Sequence, residues 1–551
     1  MARQFDDATN PAELDEGAEQ QGVFAKLSWF HSMPYWGVSA VLHLIVILIL
    51  SIIVFESEKP PEKEVQVVVK VQSKSAPKKP AYDPTVPRAM KKTPKVPGQK
   101  TDKKPIVSKR DPDEVTTDIP LGTSLENITN VNIANDISKT GINDAIGVGG
   151  GAAGAYGERW GKGRLVDNGG SAGSEEAVRA ALEWLRRHQH ADGHWSCHDF
   201  TEMCDKEKPC ANDPKVVSYS DGRGDANYDV GVTGLAMLAF LGYAHTHRDG
   251  DYPEYTECML KAMQWMLQQQ IKDSDPQKNG IYGKIGASEE WVYNHAIASL
   301  AMAELLFLSR DKLNLQKSVQ AAIDYIFASQ NPGRGWRYGF RPGVNDTSVT
   351  GWMVLAVKTA KACSETKLLT IPQEKFTESF QGALAWFDNV TSKSNQKAGY
   401  QAPGDPGSGL LKLYPEPYPF SKKLSCMTAV AVLCRLFAGE KKNSEAVKGG
   451  VALLMAAKPE WRPYEDKRLS TINIYYWYYA SYALFQYGGS QWKEWNEAMQ
   501  EALIDNQRRL GDEDGSWDPI DEWGIIGGRV YTTAIGAMTL EVYYRYERAG
   551  E

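Results

Sequence analysis

Residues 317–360 read KSVQAAIDYIFASQNPGRGWRYGFRPGVNDTSVTGWMVLAVKTA, and this stretch decides the fold. A helix-like segment, Val319–Ser329, ends at Gln330. A loop rich in glycine and proline follows and closes on Gly335 and Trp336. A second helix is predicted to begin at Asp346 and to continue through small and apolar residues.

The same unit of helix, Gln, glycine loop, aromatic residue and apolar helix recurs about six times, with a period of roughly 50–80 residues. The first helices of the units start near Ala177, Lys261, Val319, Gly382, Val447 and Glu497. The second helices start near Asp229, Trp291, Asp346, Leu424, Ile472 and Val530. Such repetition indicates stacked units, none of which can bury its apolar face alone.

The two helices of each unit differ in composition. First helices are amphipathic, as in AVRAALEWLRRHQ, whereas second helices are apolar on nearly all sides, as in GVTGLAMLAFLGYA. A helix that is apolar all round is a buried helix. The sequence therefore predicts an all-α fold over residues 174–551, an α/α toroid of about six helix pairs with the second helices inside.

The Gln-Gly-Trp pattern resembles the QW repeat of squalene–hopene cyclases, whose α/α toroid is shared with protein prenyltransferases. More closely, the chain resembles bacterial membrane-anchored prenyltransferase/squalene oxidase repeat proteins. The segments that carry this resemblance are NDTSVTGW, MTAVAVLCR, NIYYWYYA, GGSQWKEWNEAM and GGRVYTTAIGAMTLEVYYRY. The resemblance implies a toroid that holds an apolar or isoprenoid ligand in its centre.

The part of the chain before the repeats has three regions. Residues 1–34 are polar and acidic and are predicted to form a disordered tail. Residues 35–56 are almost uncharged and long enough for one transmembrane helix. Residues 57–173, rich first in lysine and proline and then in glycine, predict a mostly disordered linker. The net charge of −7 over 551 residues argues against a nucleic-acid partner.

Ser39 and His43 lie one turn apart in the predicted transmembrane helix. With the lysine- and proline-rich linker, this pair resembles the anchor of TonB energy-transducing proteins. The resemblance implies an ExbB/ExbD-like membrane partner. The positive-inside rule places the toroid in the cytoplasm, because lysines follow the helix. The anchor resemblance favours a single-pass protein of the cytoplasmic membrane with its toroid on the periplasmic side.

The D-x-D-D motif of the cyclases aligns with Gly343-Val344-Asn345-Asp346. Asn345 stands where the resemblance places the catalytic acid, and an amide cannot donate that proton. Asp346 precedes an apolar helix, so helix capping is an alternative to catalysis. The Asp-x-Cys pair of the prenyltransferase zinc site does not occur in this sequence. The sequence thus leaves enzymatic activity open and predicts no cofactor.

Four residues with metal-binding side chains cluster in the segment CHDFTEMCDKEKPC: Cys197, His198, Cys204 and Cys210. Three cysteines and one histidine can bind zinc. In an oxidising compartment a disulfide is the simpler expectation. Free thiols are the third possibility.

The N-terminal ends of the second helices are expected to share one mouth of the ring. Candidate catalytic residues there are Asp346, Asp229 and His295, and candidate cavity residues include these three with Trp352, Tyr476 and Tyr531. Packing in the core is the alternative for each of them. The missing cyclase acid favours a binding or scaffold module without cyclase activity. The many aromatic residues support the alternative, an enzyme of the terpene cyclase or prenyltransferase type.

Overall fold

The computed structural model describes residues 169–213, 221–286, 291–405, 420–465 and 468–545. The predicted tail, the transmembrane helix with Ser39 and His43, and nearly all of the linker lie outside these residues. Within the described ranges the chain forms helices and no strand, with β-type pairing confined to isolated bridges. The prediction of an all-α class is confirmed.

Thirteen helices follow one another in the described ranges, and twelve of them alternate between an outer and an inner position. The outer helices are α1 (Ala172–Arg187), α3 (Pro253–Gln268), α5 (Lys312–Ser329), α7 (Gln373–Val390), α9 (Glu445–Met455) and α11 (Gly489–Ile504). The inner helices are α2 (Asp229–Gly242), α4 (Trp291–Ser309), α6 (Thr347–Glu365), α8 (Cys426–Phe437), α10 (Ile474–Tyr487) and α12 (Gly524–Leu540). A short helix, α13 (Val542–Arg545), follows α12.

The inner helices form a closed ring, because each packs against the next in chain order and α12 packs against α2. Each outer helix from α3 onward packs against the inner helix that precedes it in the chain, α1 packs against α12, and α11 also contacts α1. The order of elements and the assignment of apolar helices to the inside are as predicted. All six outer helices begin earlier than expected. In α1 this is because Ser171 and Ser174 form a capping box and Ser171 is the N-cap residue.

Burial follows the composition of the helices. Every residue of α2 after Asp229 is buried, whereas α1 buries one stripe that includes Val178, Leu182 and Leu185. At roughly 25 cal/mol per Å² of apolar surface removed from water, the inner ring supplies most of the free energy that favours folding. One helix among the described residues, α4, is long and apolar enough to cross a membrane, and it lies buried in this ring.

A glutamine after each of four outer helices bonds its own unit to the neighbouring one. Gln330 donates its side-chain amide to the carbonyl oxygen of Arg334 in its own loop (2.7 Å) and to that of Ser379 in α7 (3.0 Å). Three other glutamines donate in the same way to their own loop and to the next outer helix: Gln189, Gln270 and Gln507. These amides therefore join consecutive outer helices.

The tryptophan of the loop is held by both helices of its unit. Its indole N–H donates to a carbonyl oxygen of the outer helix, as in Trp336 to Ile326 at 2.8 Å. Its backbone N–H donates to the hydroxyl of Thr350 in α6, at 3.0 Å. The backbone N–H groups of Trp195 and Trp517 donate in the same way to Thr233 and Thr533, and in the fourth unit Ala398 donates to Thr428. The loops at this end of the ring are thus rigidly attached to the inner helices.

A glycine before the aromatic residue is required where two units approach closely. Gly515 has a φ of +96°, and a Cβ atom there would collide with the carbonyl oxygen of Ala180 in α1. Only glycine adopts this conformation without strain and leaves the space free. The loops consequently lie tightly against the next outer helix.

Candidate active site

Asp346 is the N-cap residue of α6 at the mouth of the ring. Its Oδ1 accepts a hydrogen bond from the backbone N–H of Val349 at 2.7 Å. Its side chain is fully buried, and Oδ2 has no hydrogen-bond partner in the described structure. One oxygen therefore caps the helix and the other remains available for chemistry.

Asp521 lies in the loop that leads into α12, at the same end of the inner helices. Its Oδ2 accepts from the backbone N–H of Ile474 at 3.2 Å and from the hydroxyl of Tyr531 at 3.3 Å. Its Oδ1 is buried and has no hydrogen-bond partner in the described part of the chain. Asp521 thus repeats the arrangement of Asp346, with one carboxyl oxygen bonded and one available.

Tyr475, in the first turn of α10, contacts residues that follow each of the two aspartates in sequence. Its hydroxyl is 2.9 Å from the hydroxyl of Ser348, two residues after Asp346. Its ring centroid is 5.9 Å from that of Trp523, two residues after Asp521. Burial raises the pKa of Tyr475 well above its usual value, and the charge of Asp346 adds to this rise. The two aspartates therefore share one neighbouring phenol that stays protonated.

Burial also changes the ionisation of the carboxyl groups themselves. It raises the pKa of Asp346 to about 7, a rise that the Val349 N–H and the positive charge of Arg337 limit. It raises the pKa of Asp521 to about 7 as well, although the donors Ile474 N–H and Tyr531 hydroxyl limit the rise. Desolvation disfavours the charged form of a carboxyl group, so both groups can hold a proton near neutral pH.

Glu522 adds a third carboxyl group at the mouth. The side-chain amide of Asn473, the N-cap residue of α10, donates to Oε2 of Glu522 at 2.8 Å. Burial raises the pKa of Glu522 to about 7. Neither Asp521 nor Glu522 was expected at the site from sequence. The signal that could have identified them is an acidic pair inside the otherwise apolar stretch PIDEWGII, residues 519–526.

Two of the expected cavity residues lie in the ring interior or at its mouth. Tyr531 is at the mouth, hydrogen-bonded to Asp521. Trp352 of α6 packs across the ring against α10, with its ring stacked on that of Tyr478 at 6.1 Å between centroids and edge-on to that of Tyr479 at 5.4 Å. Side chains therefore fill the centre at the level of Trp352.

Two other expected cavity residues point away from the centre. Tyr476 is fully buried and donates its hydroxyl to the carbonyl oxygen of Ala457, which follows α9. His295 occupies the inner-helix position that threonine has in four other units, and its Nδ1 accepts the backbone N–H of Tyr282 at 3.1 Å. Burial lowers the pKa of His295 to about 3, so it is a neutral histidine that holds a loop.

Asp229 and Asn345 have structural partners. Asp229, the first residue of α2, accepts the backbone N–H of Cys197 at 2.7 Å. Asn345 accepts a hydrogen bond from the side-chain amide of Asn331 at 2.9 Å. The structure thus separates the expected catalytic candidates. Burial raises the pKa of both Asp229 and Asp346, and that of Asp346 reaches about 7.

The cysteine segment does not form the expected set of four. The seven cysteines of the chain are unbonded in the structure, and the disulfide expected in an oxidising compartment stays a prediction. Cys197 is buried and His198 is exposed beside Asp199. Cys204 and Cys210 meet two residues from elsewhere in the chain, His188 and Asp512, and this group of four could hold a metal ion.

Two open hollows on the outer surface are separate from the carboxyl groups. One, of about 730 Å³, lies at the end of α7 around Asp388 and Ser392. The other, of about 760 Å³, lies along α5 around Gln316 and Asp324. Neither is lined by Asp346 or Asp521, so the titratable groups and not the hollows identify the candidate site.

No protein-family model matches the chain, and no curated protein matches it. Three solved structures are similar to it over the toroid. A protein from Actinoplanes is 14% identical, with 67% of this chain and 98% of that chain covered and a TM-score of 0.36. A novel alpha-amylase from Clostridium perfringens is 11% identical, with 67% of this chain and 97% of that chain covered and a TM-score of 0.39. A possible member of the GH105 family from Salmonella enterica is 11% identical, with 68% of this chain and 93% of that chain covered and a TM-score of 0.40.

These comparisons correct the resemblance inferred from the repeats. The titles name an alpha-amylase and a possible GH105 member, and none of the three names a squalene–hopene cyclase or a protein prenyltransferase. The comparisons therefore contradict the expected terpene cyclase or prenyltransferase relative, and they lend no support to a scaffold without enzymatic activity. The Gln and Trp of each unit are explained by the hydrogen bonds that join its helices. At this level of similarity, any activity has to be argued from the side chains of the site.

Proposed function

We propose that the chain is an enzyme that cleaves a carbohydrate by general acid–base catalysis at the mouth of the inner ring. The observation that supports this proposal is the pair Asp346 and Asp521. Each has one carboxyl oxygen held by hydrogen bonds and one without a partner in the described structure. Hydrolysis of a glycosidic bond requires two carboxyl groups in different protonation states.

Asp521 is assigned as the general acid. The groups that lower its pKa are neutral donors, Ile474 and Tyr531, and burial outweighs them. Its protonated carboxyl group can donate to the leaving-group oxygen of the glycosidic bond. The hydrogen bond from Tyr531 fixes the orientation of Oδ2 and leaves Oδ1 for this transfer.

Asp346 is assigned as the base. The positive charge of Arg337 and the N–H of Val349 favour its ionised form, in contrast to the neutral surroundings of Asp521. In the hydrolysis, Asp346 takes a proton from water as the water oxygen bonds to the sugar carbon. The bond to the leaving oxygen breaks, and that oxygen takes the proton of Asp521. One catalyst gains a proton and the other loses one, so exchange with solvent restores both.

The rim of the site suits a polyhydroxylated substrate. The hydroxyls of Tyr338 and Tyr400 lie 2.9 Å apart and are half-buried beside Asp346. Trp523 and Glu522 are half-buried beside Asp521. Aromatic faces together with hydroxyl and carboxyl groups provide both apolar contact and hydrogen-bonding positions for a sugar.

The experiment is a screen of the purified chain against neutral and acidic polysaccharides and their oligosaccharides. New reducing ends report hydrolysis, and ultraviolet absorbance of an unsaturated sugar reports elimination. Asp521→Asn and Asp346→Asn should each lower kcat by about 10²–10⁴-fold, because one proton transfer is lost. The matched control is Asp324→Asn, which removes an exposed carboxyl group on α5, outside the mouth. Cleavage that is unchanged in both mouth variants would exclude the proposed site.

A further inference from the structure

A second group of titratable side chains lies where the first and last units of the ring meet. His188 follows α1, Cys204 and Cys210 lie between α1 and α2, and Asp512 lies between α11 and α12. One ligand atom of each lies within 4.8 Å of the others. The group is separate from Asp346 and Asp521 and takes no part in the proposed reaction.

The orientation of His188 is that of a metal ligand. Its Nδ1 lies 2.9 Å from the carbonyl oxygen of Trp184, so this nitrogen carries the proton and donates it. Nε2 then presents its lone pair to the other three residues. It lies 3.5 Å from Sγ of Cys204, 3.4 Å from Sγ of Cys210 and 3.2 Å from Oδ2 of Asp512. Histidines that bind metals in proteins usually donate their second N–H in this way.

The spacing of these atoms fits a tetrahedral ion. Zinc binds nitrogen and oxygen at about 2.0–2.2 Å and sulfur at about 2.3 Å, which puts neighbouring ligand atoms about 3.3–3.8 Å apart. The three distances from Nε2 of His188, 3.2–3.5 Å, are close to this range. Little movement of the side chains is needed to admit an ion.

Asp512 has supporting partners of its own. Its Oδ1 accepts from the guanidinium group of Arg187 at 2.8 Å, and its Oδ2 accepts from the backbone N–H of Asp205 at 3.0 Å. Arg187 also donates to the carbonyl oxygens of Asp512 and Asp514. Two thiolates and one carboxylate around a divalent cation leave one negative charge, which Arg187 is placed to balance.

We propose that His188, Cys204, Cys210 and Asp512 bind one zinc ion. Two sulfur ligands with one nitrogen and one oxygen favour zinc over calcium or magnesium, which bind oxygen. Four protein ligands complete a tetrahedral site and leave no position for a substrate. The ion is therefore structural.

The ion joins the loop between α1 and α2 to the loop between α11 and α12. The same two loops are also joined by Arg529, which donates to Oδ1 of Asn212 at 2.8 Å and to Oδ1 of Asp518 at 2.7 Å. Asp521 lies three residues after Asp518. Zinc thus closes the ring between its first and last units and fixes the segment that leads to Asp521.

The test is metal analysis of the full-length chain, purified without chelator after growth with zinc. We expect one zinc ion per chain. Cys204→Ser and Asp512→Asn should lower zinc retention against a competing chelator by about ten-fold or more. Cys258→Ser is the matched control, because Cys258 is a buried thiol of α3 outside the group, and it should retain zinc.

Two measurements on the unmodified chain keep the test decisive if a variant does not fold. Alkylation of Cys204 and Cys210 should increase at least ten-fold after chelator is added, because the bound ion protects both thiolates. Cobalt exchanged for zinc should give the absorption of a tetrahedral ion with sulfur ligands. A disulfide between Cys204 and Cys210, alkylation that is equal with and without chelator, or zinc content equal in Cys204→Ser and the unmodified chain would each overturn the proposal.

Discussion

Gln507 and Ala177 are 330 positions apart in sequence, and the side-chain amide of Gln507 donates to the carbonyl oxygen of Ala177 at 2.8 Å. Gln507 follows α11, the last outer helix, and Ala177 is in α1, the first. The same kind of bond joins Gln330 to Ser379 inside the chain. The ring is therefore closed by the interaction that also joins its consecutive units.

Gln507→Ala should lower the free energy of unfolding by about 1–3 kcal/mol, because it leaves the buried carbonyl oxygens of Ala177 and Gly515 without this donor. Urea unfolding measures the change. Gln277→Ala, which truncates an exposed glutamine, is the control and should change stability by less than about 0.5 kcal/mol. Equal effects of the two substitutions would contradict the role of Gln507.

Thr350→Val should lower the free energy of unfolding by about 1–3 kcal/mol, since the buried N–H of Trp336 loses its acceptor while the side-chain volume is kept. Thr359→Val in the same helix is the control. The Thr359 hydroxyl only donates to the carbonyl oxygen of Leu355 within α6, so its loss should cost less than about 1 kcal/mol. Comparison of the two unfolding curves shows whether the hydrogen bond from Trp336 to Thr350 stabilises the folded chain.

Gly515→Ala should destabilise the chain more than Gly333→Ala. Both glycines have a positive φ, +96° and +63°, so both substitutions add backbone strain of about 1 kcal/mol. Only at Gly515 does the new methyl group meet a backbone carbonyl, that of Ala180, whereas nothing lies near Gly333. Thermal unfolding compares the two variants. Similar melting temperatures would show that α1 can shift to accommodate the methyl group without a loss of stability.

Asp521 should make the chain less stable as pH rises. Its pKa is about 7 when folded, against a usual value of 3.8. Between pH 3.8 and about pH 7 the carboxyl group is ionised in the unfolded chain but still protonated in the folded one, so rising pH favours unfolding. The free energy of unfolding falls by up to ~4 kcal/mol once the group is fully ionised in both states. The free energy of unfolding should therefore fall from about pH 4 to about pH 7, and Asp521→Asn should flatten this fall.

Urea unfolding at about pH 5 and about pH 8 measures this difference in the unmodified chain and in Asp521→Asn. Asp273→Asn removes an exposed carboxyl group and is the control. The pKa of Asp512 is lowered despite its burial, because of His188, so its contribution to stability is lost at acid pH and does not cause the expected fall. A pH dependence that is identical in all three proteins would exclude a raised pKa at Asp521.

The fold was predictable because it depends on patterns that are local in sequence. All-apolar second helices specify the inner ring, and the start near Asp229 coincides with that of α2. The start of α1 differs, because the hydroxyl of Ser171 caps the helix and Ser174 completes the capping box. In a segment rich in serine and glycine, the sequence pattern alone does not identify the residue that caps the helix.

The site was only partly predictable, because it depends on ring closure. The capping role of Asp346 follows from its position before an apolar helix. Asp521 acquires its raised pKa from burial, and the backbone N–H of Ile474, on a neighbouring inner helix, limits the rise. His188 meets Asp512 across 324 positions of sequence, so the spacing of the cysteines indicated His198 instead. The contact of Asp521 requires that consecutive units pack together, and that of His188 requires that the last unit packs against the first.

The most direct test of the account is the infrared difference spectrum between the unmodified chain and Asp521→Asn as a function of pH. The carbonyl band of a protonated carboxylic acid reports the state of the general acid without any substrate. Asp346 and Glu522 also hold a proton at about pH 6, and their bands cancel in the difference because both proteins contain them. At about pH 6 the difference spectrum should therefore show the band of Asp521 alone, and this band should fade as pH passes through about 7. A spectrum with only ionised carboxylate at about pH 6 would contradict the assignment of Asp521 as the acid.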